Sequence, residues 1–237
     1  MPEEKPWWIL VGGMRRLGKA LAEDLVQDHS LVLTGSQETD EAWLKGLGDR
    51  ASLRTFRWNA MDPELGSQMM ADLDSLARAG IQLQGAVIAA GIFPLQPFGE
   101  WTMEGLENTW RVNLGFPLLC AQALAPRLLP GSCLQFLLDA SIYKPFPKRM
   151  PHSASKAGLA SLVPGLAQAL APSLRVVGHA LGTVLPDAES NADWLASRSL
   201  LKRNGEPADV ARALRFAAES PYLTGEILNL DGGQRQS

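Results

Sequence analysis

The chain has 237 residues, 46% of them apolar and 20% charged, with a net charge of −3. That length suits one large α/β domain, and that charge points to neither nucleic acid nor an anionic membrane as a partner. No apolar run reaches the roughly 18 residues that span a bilayer. The start, Met1-Pro2-Glu3-Glu4-Lys5-Pro6, lacks the basic and then apolar pattern of a secretion signal, so a cytoplasmic protein is expected. Cys120 and Cys133 have no motif spacing and stand beside leucines, which predicts buried free thiols.

Short apolar runs alternate with longer stretches of helical period, the pattern of βαβ units on a parallel sheet. Trp7–Val11 reads as the first strand and Leu17–Gln27 as a helix with Leu17, Leu21 and Leu25 on one face. Leu31–Thr34 and Leu53–Arg57 read as strands two and three, followed by a helix over Pro63–Ala79 with proline in its first turn. Ala86–Ala89 is the fourth strand. Met103–Leu129 reads as a long helical region that Pro117 breaks or kinks. Leu134–Asp139 is the fifth strand, Pro151–Leu170 a helix containing Pro164, and Leu174–His179 the sixth strand. A helix over Pro207–Ala218 and a strand over Ile227–Leu230 close the chain. Neither a repeat nor a linker divides it, so residues 1–237 are expected to form one doubly wound domain.

Open α/β sheets bind ligands outside the carboxyl ends of their strands. The first such loop is Val11-Gly12-Gly13-Met14-Arg15-Arg16-Leu17-Gly18. Its glycines allow a tight turn and close approach of backbone to a pyrophosphate, and the next helix presents free N–H groups. A glycine turn that merely enters a helix looks the same, so this loop alone decides little. His29 and His179 have no Cys, His or carboxylate cluster at metal-ligand spacing, and no metal is expected.

Six blocks fall in the order and at the spacing of one family. They are the Gly-rich turn, Ala89-Ala90-Gly91, Asn113, Ser155-Lys156, Arg203-Asn204-Gly205-Glu206-Pro207, and Thr224-Gly225-Glu226-Ile227-Leu228-Asn229-Leu230-Asp231-Gly232-Gly233. Over essentially its whole length the chain resembles the short-chain dehydrogenases/reductases. The resemblance implies a Rossmann-type α/β fold, with about seven parallel strands flanked by helices. It also implies a nicotinamide cofactor, a small-molecule substrate, and assembly as homodimers or homotetramers. Cofactor contacts are implied for Gly12, Arg15, Arg16, Leu17, Ser36, Asn59, Ala60, Ala90, Gly91, Lys156 and Gly182.

Within the family, Gly-x-x-x-Arg-Leu-Gly at Gly12–Gly18 is similar to pteridine and dihydromonapterin reductases, whose arginine reaches cofactor phosphate and pterin. Phe93 matches their pterin-stacking phenylalanine, and Asp139 their aspartate before the catalytic tyrosine. A flat, polar pterin suits a π face, a planar donor fork and a carboxyl group. A two-residue gap would instead put Ser141 at the family's serine position. A core role for Phe93, a solvated Arg16 and a strand-end cap at Asp139 are the plainer readings of the same residues. Strand two runs into Leu33-Thr34-Gly35-Ser36-Gln37 with no carboxylate before Glu38. NAD-preferring folds put an acid there. Ser36 and Arg15 suit a 2′-phosphate, which favours NADP(H).

The departures are as informative. The family's Tyr-x-x-x-Lys is His152-Ser153-Ala154-Ser155-Lys156, the usual Asn-Asn-Ala-Gly is Ile88-Ala89-Ala90-Gly91, and Pro-Gly is Leu181-Gly182. Asn113 and Lys156 remain. Tyr143, in the loop after strand five, has no spacing that supports a role. Imidazole donates protons near neutral pH. Lys156 opposes a positive charge on His152, and Asp139 favours one. Two readings stay open: a reductase using His152, Lys156, Asp139 and Asn113, or an idle relative that binds NADP(H) or a partner. Lys144, Lys148 and Arg149 read as a solvated loop that is also able to attract an anion. The proline-rich stretch Ile92–Phe98 suits a pocket wall. The segment Thr183–Ser199 takes the place of a substrate lid, made acidic by Asp187, Glu189 and Asp193.

Overall fold

The computed structural model describes residues 5–37, 40–186 and 190–236. Seven parallel strands form one sheet in the order β3-β2-β1-β4-β5-β6-β7. They are β1 (Trp7–Val11), β2 (Ser30–Gly35), β3 (Leu53–Arg57), β4 (Leu83–Ile88), β5 (Leu128–Asp139), β6 (Arg175–Leu181) and β7 (Ile227–Leu230). The chain reverses its direction across the sheet between β1 and β4, and the crevice at that switch is where such sheets take ligands.

Eight α-helices accompany the described strands: α1 (Arg16–Leu25), α2 (Glu41–Gly48), α3 (Leu65–Arg78), α4 (Met103–Trp110), α5 (Phe116–Leu124), α6 (Met150–Leu170), α7 (Ala192–Ser197) and α8 (Pro207–Glu219). Strand side chains alternate between the two faces of the sheet. Ile9, Val11, Ile88, Phe136 and Val176 pack with Leu73 of α3, Cys120 of α5 and Val163 of α6. Leu10, Leu31, Leu33 and Val87 pack with Leu21 of α1, Leu47 of α2 and Leu214 of α8. Central strands are therefore apolar on both faces, as burial on both sides demands. Both cysteines are buried; burial alone pushes the Cys120 thiol up, and it raises Cys133 to about 11.

Several elements differ from the sequence expectation. The region Met103–Leu129 is not one helix broken at Pro117. It is α4, a π-helical turn over Arg111–Gly115, α5, and a 3-10 turn over Ala125–Arg127. Pro117 lies in the first turn of α5, where a missing N–H costs nothing. Leu129 belongs to β5, which starts six residues earlier than expected. Pro63 precedes α3 rather than opening it. Helices α2 and α7 were not read from the sequence. Each is short and starts on a side-chain cap, Asp40 accepting from the Ala42 and Trp43 N–H groups and Asn191 from Trp194 N–H. Helix α6 runs through Pro164 without ending.

Candidate active site

The turn after β1 brings backbone against backbone. Gly12 has φ +82°, and a Cβ there would lie 2.8 Å from Ala90 Cα. A Cβ on Gly18 would lie 1.9 Å from the Gly12 carbonyl oxygen. Side chains are therefore excluded where β1, α1 and the end of β4 converge. Helix α1 starts without a side-chain cap and without an acid in its first turn. Its positive end is thus free to take an anion, and this geometry fits a dinucleotide pyrophosphate. Leu17, half-buried, packs on the α1 side of the core.

At the end of β2, Arg15 Nη1 donates to Gln37 Oε1 at 2.8 Å, and Arg57 Nε donates to the Ser36 carbonyl at 3.4 Å. Two guanidinium groups thus flank the exposed Ser36. Arg57 was missed in the sequence; it faces Gly35 in the β2–β3 register, which only the strand order reveals. Glu38 lies outside the described residues, as do Asp187 and Glu189. Asn59 Oδ1 accepts from Met61 N–H at 3.1 Å and closes the turn after β3, while half-buried Ala60 packs on the core. Gly182 donates its N–H to the Leu230 carbonyl, and a Cβ there would lie 2.7 Å from Asp231 Cα. It is clamped to the C-terminal segment.

Beyond Gly91 lies a polar cluster. A Cβ on Gly91 would stand 3.1 Å from Asn113 Oδ1 and 3.5 Å from Lys156 Nζ, so glycine leaves room for both. The π-helical turn carries Asn113 inward, fully buried. Asn113 grips the Ile92 backbone, accepting its N–H at 2.7 Å and donating to its carbonyl at 2.9 Å. One turn apart on α6, His152 and Lys156 face the same cluster. His152 Nδ1 lies 3.0 Å from the Ile92 carbonyl and 3.2 Å from Asn113 Nδ2. His152 Nε2 lies 3.7 Å from Asp139 Oδ2. Lys156 Nζ donates to the Leu137 carbonyl at 2.9 Å.

Burial lowers the Lys156 ammonium to about 8, against the opposing pull of the Asp139 carboxylate. Burial pushes the Asp139 carboxyl up, but His152 beside it and the Ser141 N–H outweigh burial and hold it below the usual range. Asp139 Oδ1 accepts that N–H at 2.7 Å, so Asp139 is at once a strand-end cap and a neighbour of His152. Ser141 Oγ is buried with no hydrogen-bond partner among the described residues. Both candidates for the third position therefore lie at the end of β5, and Asp139 is the one that meets His152.

Phe93 is half-exposed and sets its ring edge-on to His152, with centroids 4.6 Å apart and planes at 80°. Arg149 stacks its guanidinium 4.0 Å from the Phe93 centroid and donates to the Phe93 carbonyl. Arg149 is thus not the solvated loop residue expected from its neighbours; it clasps Phe93 across one ring face. Arg16 holds φ at +47° and directs Nη2 to the Leu185 carbonyl at 3.5 Å, toward the lid segment. Tyr143 is exposed and packs under Arg235, 5.4 Å from guanidinium to ring, rather than against His152. A cavity of about 550 Å³ lies beside α8 and β7, lined by Val184, Leu201, Phe216 and Leu228 and reaching Gly182. Among the described residues no group of three His, Cys, Asp or Glu side chains is placed to hold a metal.

A doubly wound sheet with a glycine-lined anion crevice beside an Asn–Lys cluster defines a nucleotide-dependent oxidoreductase scaffold. The family described as enoyl-(acyl carrier protein) reductase matches residues 12–235, and the chain belongs to the short-chain dehydrogenase/reductase family. It is 29% identical over 230 residues to carbonyl reductase family member 4 of Danio rerio, covering 95% of this chain and 96% of that one. It is likewise 29% identical over 245 residues to an L-rhamnose 1-dehydrogenase (NAD(P)(+)) of Azotobacter vinelandii, covering 95% and 94%. Among solved structures, a short-chain dehydrogenase/reductase of Serratia marcescens superposes with TM-score 0.87 at 21% identity, covering 99% and 100%. FolM alternative dihydrofolate reductase 1 of Brucella canis, complexed with NADP, superposes with TM-score 0.87 at 24% identity, covering 98% and 95%. The family's enzymes are oxidoreductases that use a nicotinamide cofactor on small molecules. No helix of the described residues is long and apolar enough to cross a membrane.

Proposed function

We propose that the chain is an NADP(H)-dependent reductase that adds hydride to a pterin-like C=N bond or a related C=O group. The observation that carries this reading is the meeting of Asn113, His152, Lys156 and Asp139 beside Gly91, at the mouth of the glycine-lined crevice. Hydride is what a bound nicotinamide supplies. The protein's own part is to bind, orient and furnish a proton. Gly12, Leu17 and the start of α1 hold the pyrophosphate; Arg15, Ser36 and Arg57 hold a 2′-phosphate; Asn59 and Ala60 lie beside the adenine. Ala90, Gly91, Gly182 and Lys156 bound the nicotinamide end. Arg16 and the open face of Phe93 take the flat substrate, with Ser141 behind it. His152 and Asp139 are the acid. The Brucella canis protein named an alternative dihydrofolate reductase shares this fold; the pterin choice here rests on Arg16, Phe93 and Asp139. We read the working form as a homodimer or homotetramer, with a second copy covering exposed Phe216 and the edge strand β7.

The test is NADPH consumption with dihydrobiopterin, dihydromonapterin and dihydrofolate from pH 5 to pH 8. Turnover that falls about 10²–10⁴-fold in His152→Ala, the worth of a positioned acid, is the expected result. Silence toward all substrates, with NADPH still raising the melting temperature, overturns it. One observation favours that second reading of an idle NADP(H)-binding relative. His152 is only 4% exposed and both its ring nitrogens face protein groups.

A further inference from the structure

The β6–β7 ladder ends where the nicotinamide end of the crevice begins. Its last partners are Leu181 and Leu230, and Gly182 N–H donates to the Leu230 carbonyl at 3.0 Å. The next amide, Thr183 N–H, lies past the last paired residue of β7. Shut away from water, such a group needs a partner. Here the partner is a side chain: Gln234 Oε1 accepts the Thr183 N–H at 3.2 Å. The Thr183 carbonyl in turn accepts from Gly205 N–H at 2.8 Å. Two adjoining peptides are thus pinned at three points.

Gln234 is brought there by the shape of the C-terminal turn. Asp231 folds it, with Oδ1 accepting from Gly233 N–H at 3.0 Å and Oδ2 from Arg235 N–H at 2.9 Å. Gly232 and Gly233 hold φ at +58° and +80°, the left-handed region that glycine enters without strain. The 3-10 turn Gln234–Gln236 follows, and Gln234 is buried in it. A Cβ on Gly182 would stand 2.9 Å from Gln234 Oε1, so glycine at 182 leaves the amide its place. The same turn reaches two further loops at this end of the sheet. The Gly232 carbonyl accepts from the Leu200 and Leu201 N–H groups, just past the lid segment, and Arg235 lies over Tyr143 in the loop after β5.

We infer that Gln234 is a positioning residue for the nicotinamide end of the cofactor, because its side-chain amide holds the Gly182–Thr183 backbone that bounds that end. This role rests on the NADP(H)-binding part of the proposed function, and it is the same in a reductase and in an idle binder. The backbone bonds to Leu230 and Gly205 need no particular side chain. The bond to Thr183 N–H needs an acceptor at this reach, which glutamine supplies and a hydrocarbon does not. Its effect is local. Arg15, Ser36 and Arg57 lie at the ends of β2 and β3, across β1, β4 and β5 from Gly182. Loss of the Gln234 acceptor therefore weakens one half of the cofactor's hold and spares the other.

The experiment measures binding of two ligands to the full chain by calorimetry. One is NADPH. The other is adenosine 2′,5′-bisphosphate, which carries the 2′-phosphate end and no nicotinamide. Gln234→Met keeps the length of the side chain and removes the acceptor, whereas Gln234→Glu keeps an acceptor. Gln234→Met is expected to weaken NADPH about tenfold, as for one lost hydrogen bond, and to leave the bisphosphate unchanged. Gln234→Glu should recover most of that loss. Equal weakening of both ligands, or of neither, overturns this role and leaves Gln234 as a closure of the C-terminus. A wild type that binds the bisphosphate as tightly as NADPH also overturns it, while the 2′-phosphate site stands. A wild type that binds neither ligand sinks the NADP(H) reading, and the role of Gln234 with it. Should Gln234→Met fail to fold, amide exchange in the wild type decides. Thr183 N–H should exchange slowly in the free protein and more slowly with NADPH, but not with the bisphosphate; fast exchange, or equal slowing by both, overturns the assignment.

Discussion

Arg16 opens α1 with φ at +47°, a region that costs a side-chain-bearing residue about 1–2 kcal/mol. Glycine would relieve that cost, so its absence argues that the guanidinium is wanted. Arg16→Gly is expected to hold or raise the melting temperature while raising KM about tenfold, the worth of one charged hydrogen bond. A lower melting temperature at unchanged KM would assign Arg16 to structure instead. Lys156 makes the same case with buried charge. Its ammonium falls from 10.5 to about 8 on folding. A base held below its free value costs stability wherever the unfolded chain stays protonated; this cost is full below about 8 and fades as pH rises to 10.5. Lys156→Met should therefore raise the urea midpoint at pH 7 and abolish turnover, and equal or lower stability would refute the charge argument. Family order and spacing made Asn113, His152, Lys156 and Asp139 legible in sequence. Arg57 and Arg149 were not, because reaching Ser36 and Phe93 depends on strand neighbours and loop closure that offsets along a chain do not encode.

Among the elements, the β1–α1 junction tolerates least. Gly18→Ala would drive a methyl into the Gly12 carbonyl, and backbone cannot swing aside as a side chain does. Overpacking of this kind should cost about 3 kcal/mol or more, read as a lower urea midpoint together with lost NADPH binding. A neutral effect would mean that α1 slides on the sheet. The strands were the most legible elements, since an apolar run such as Trp7–Val11 is bounded by turns. Prolines misled because their effect depends on position. Pro117 starts a helix and Pro164 sits within one, and residue identity does not separate the two cases.

At the scale of the whole molecule, His179 buries a titratable ring inside the sheet. Its Nε2 pairs with Gln135 at 2.8 Å, while Nδ1 and Gln135 Nε2 find no partner among the described residues. Burial lowers its pKa from 6.5 to about 4. The folded protein thus declines a proton that the unfolded chain accepts, and stability falls as pH drops from 6.5 to 4. The loss approaches about 3 kcal/mol at the lower end, with nothing further from this group below it. Urea midpoints across that window should fall less steeply in His179→Gln than in the wild type; parallel slopes would place the acid sensitivity elsewhere. Two covers complete the molecule: α1 and α8 are tied by Arg215 to Asp24 and Asp28, far from the candidate site.

The π-helical turn at Arg111–Gly115 has a consequence for how this chain can change. Such a turn holds one residue more than an α-helix needs for the same path. Deleting a single residue would restore a continuous helix and look harmless in an alignment. It would leave α4 and α5 in phase, because the extra residue is taken up within the turn itself. What it removes is the bulge that carries Asn113 onto the Ile92 backbone, while Phe116, Cys120 and Leu124 keep their place in the core. Substitutions here can be sampled one at a time, whereas a deletion must be matched by an insertion within the same stretch. Comparison of relatives should therefore find this segment variable in letters and constant in length.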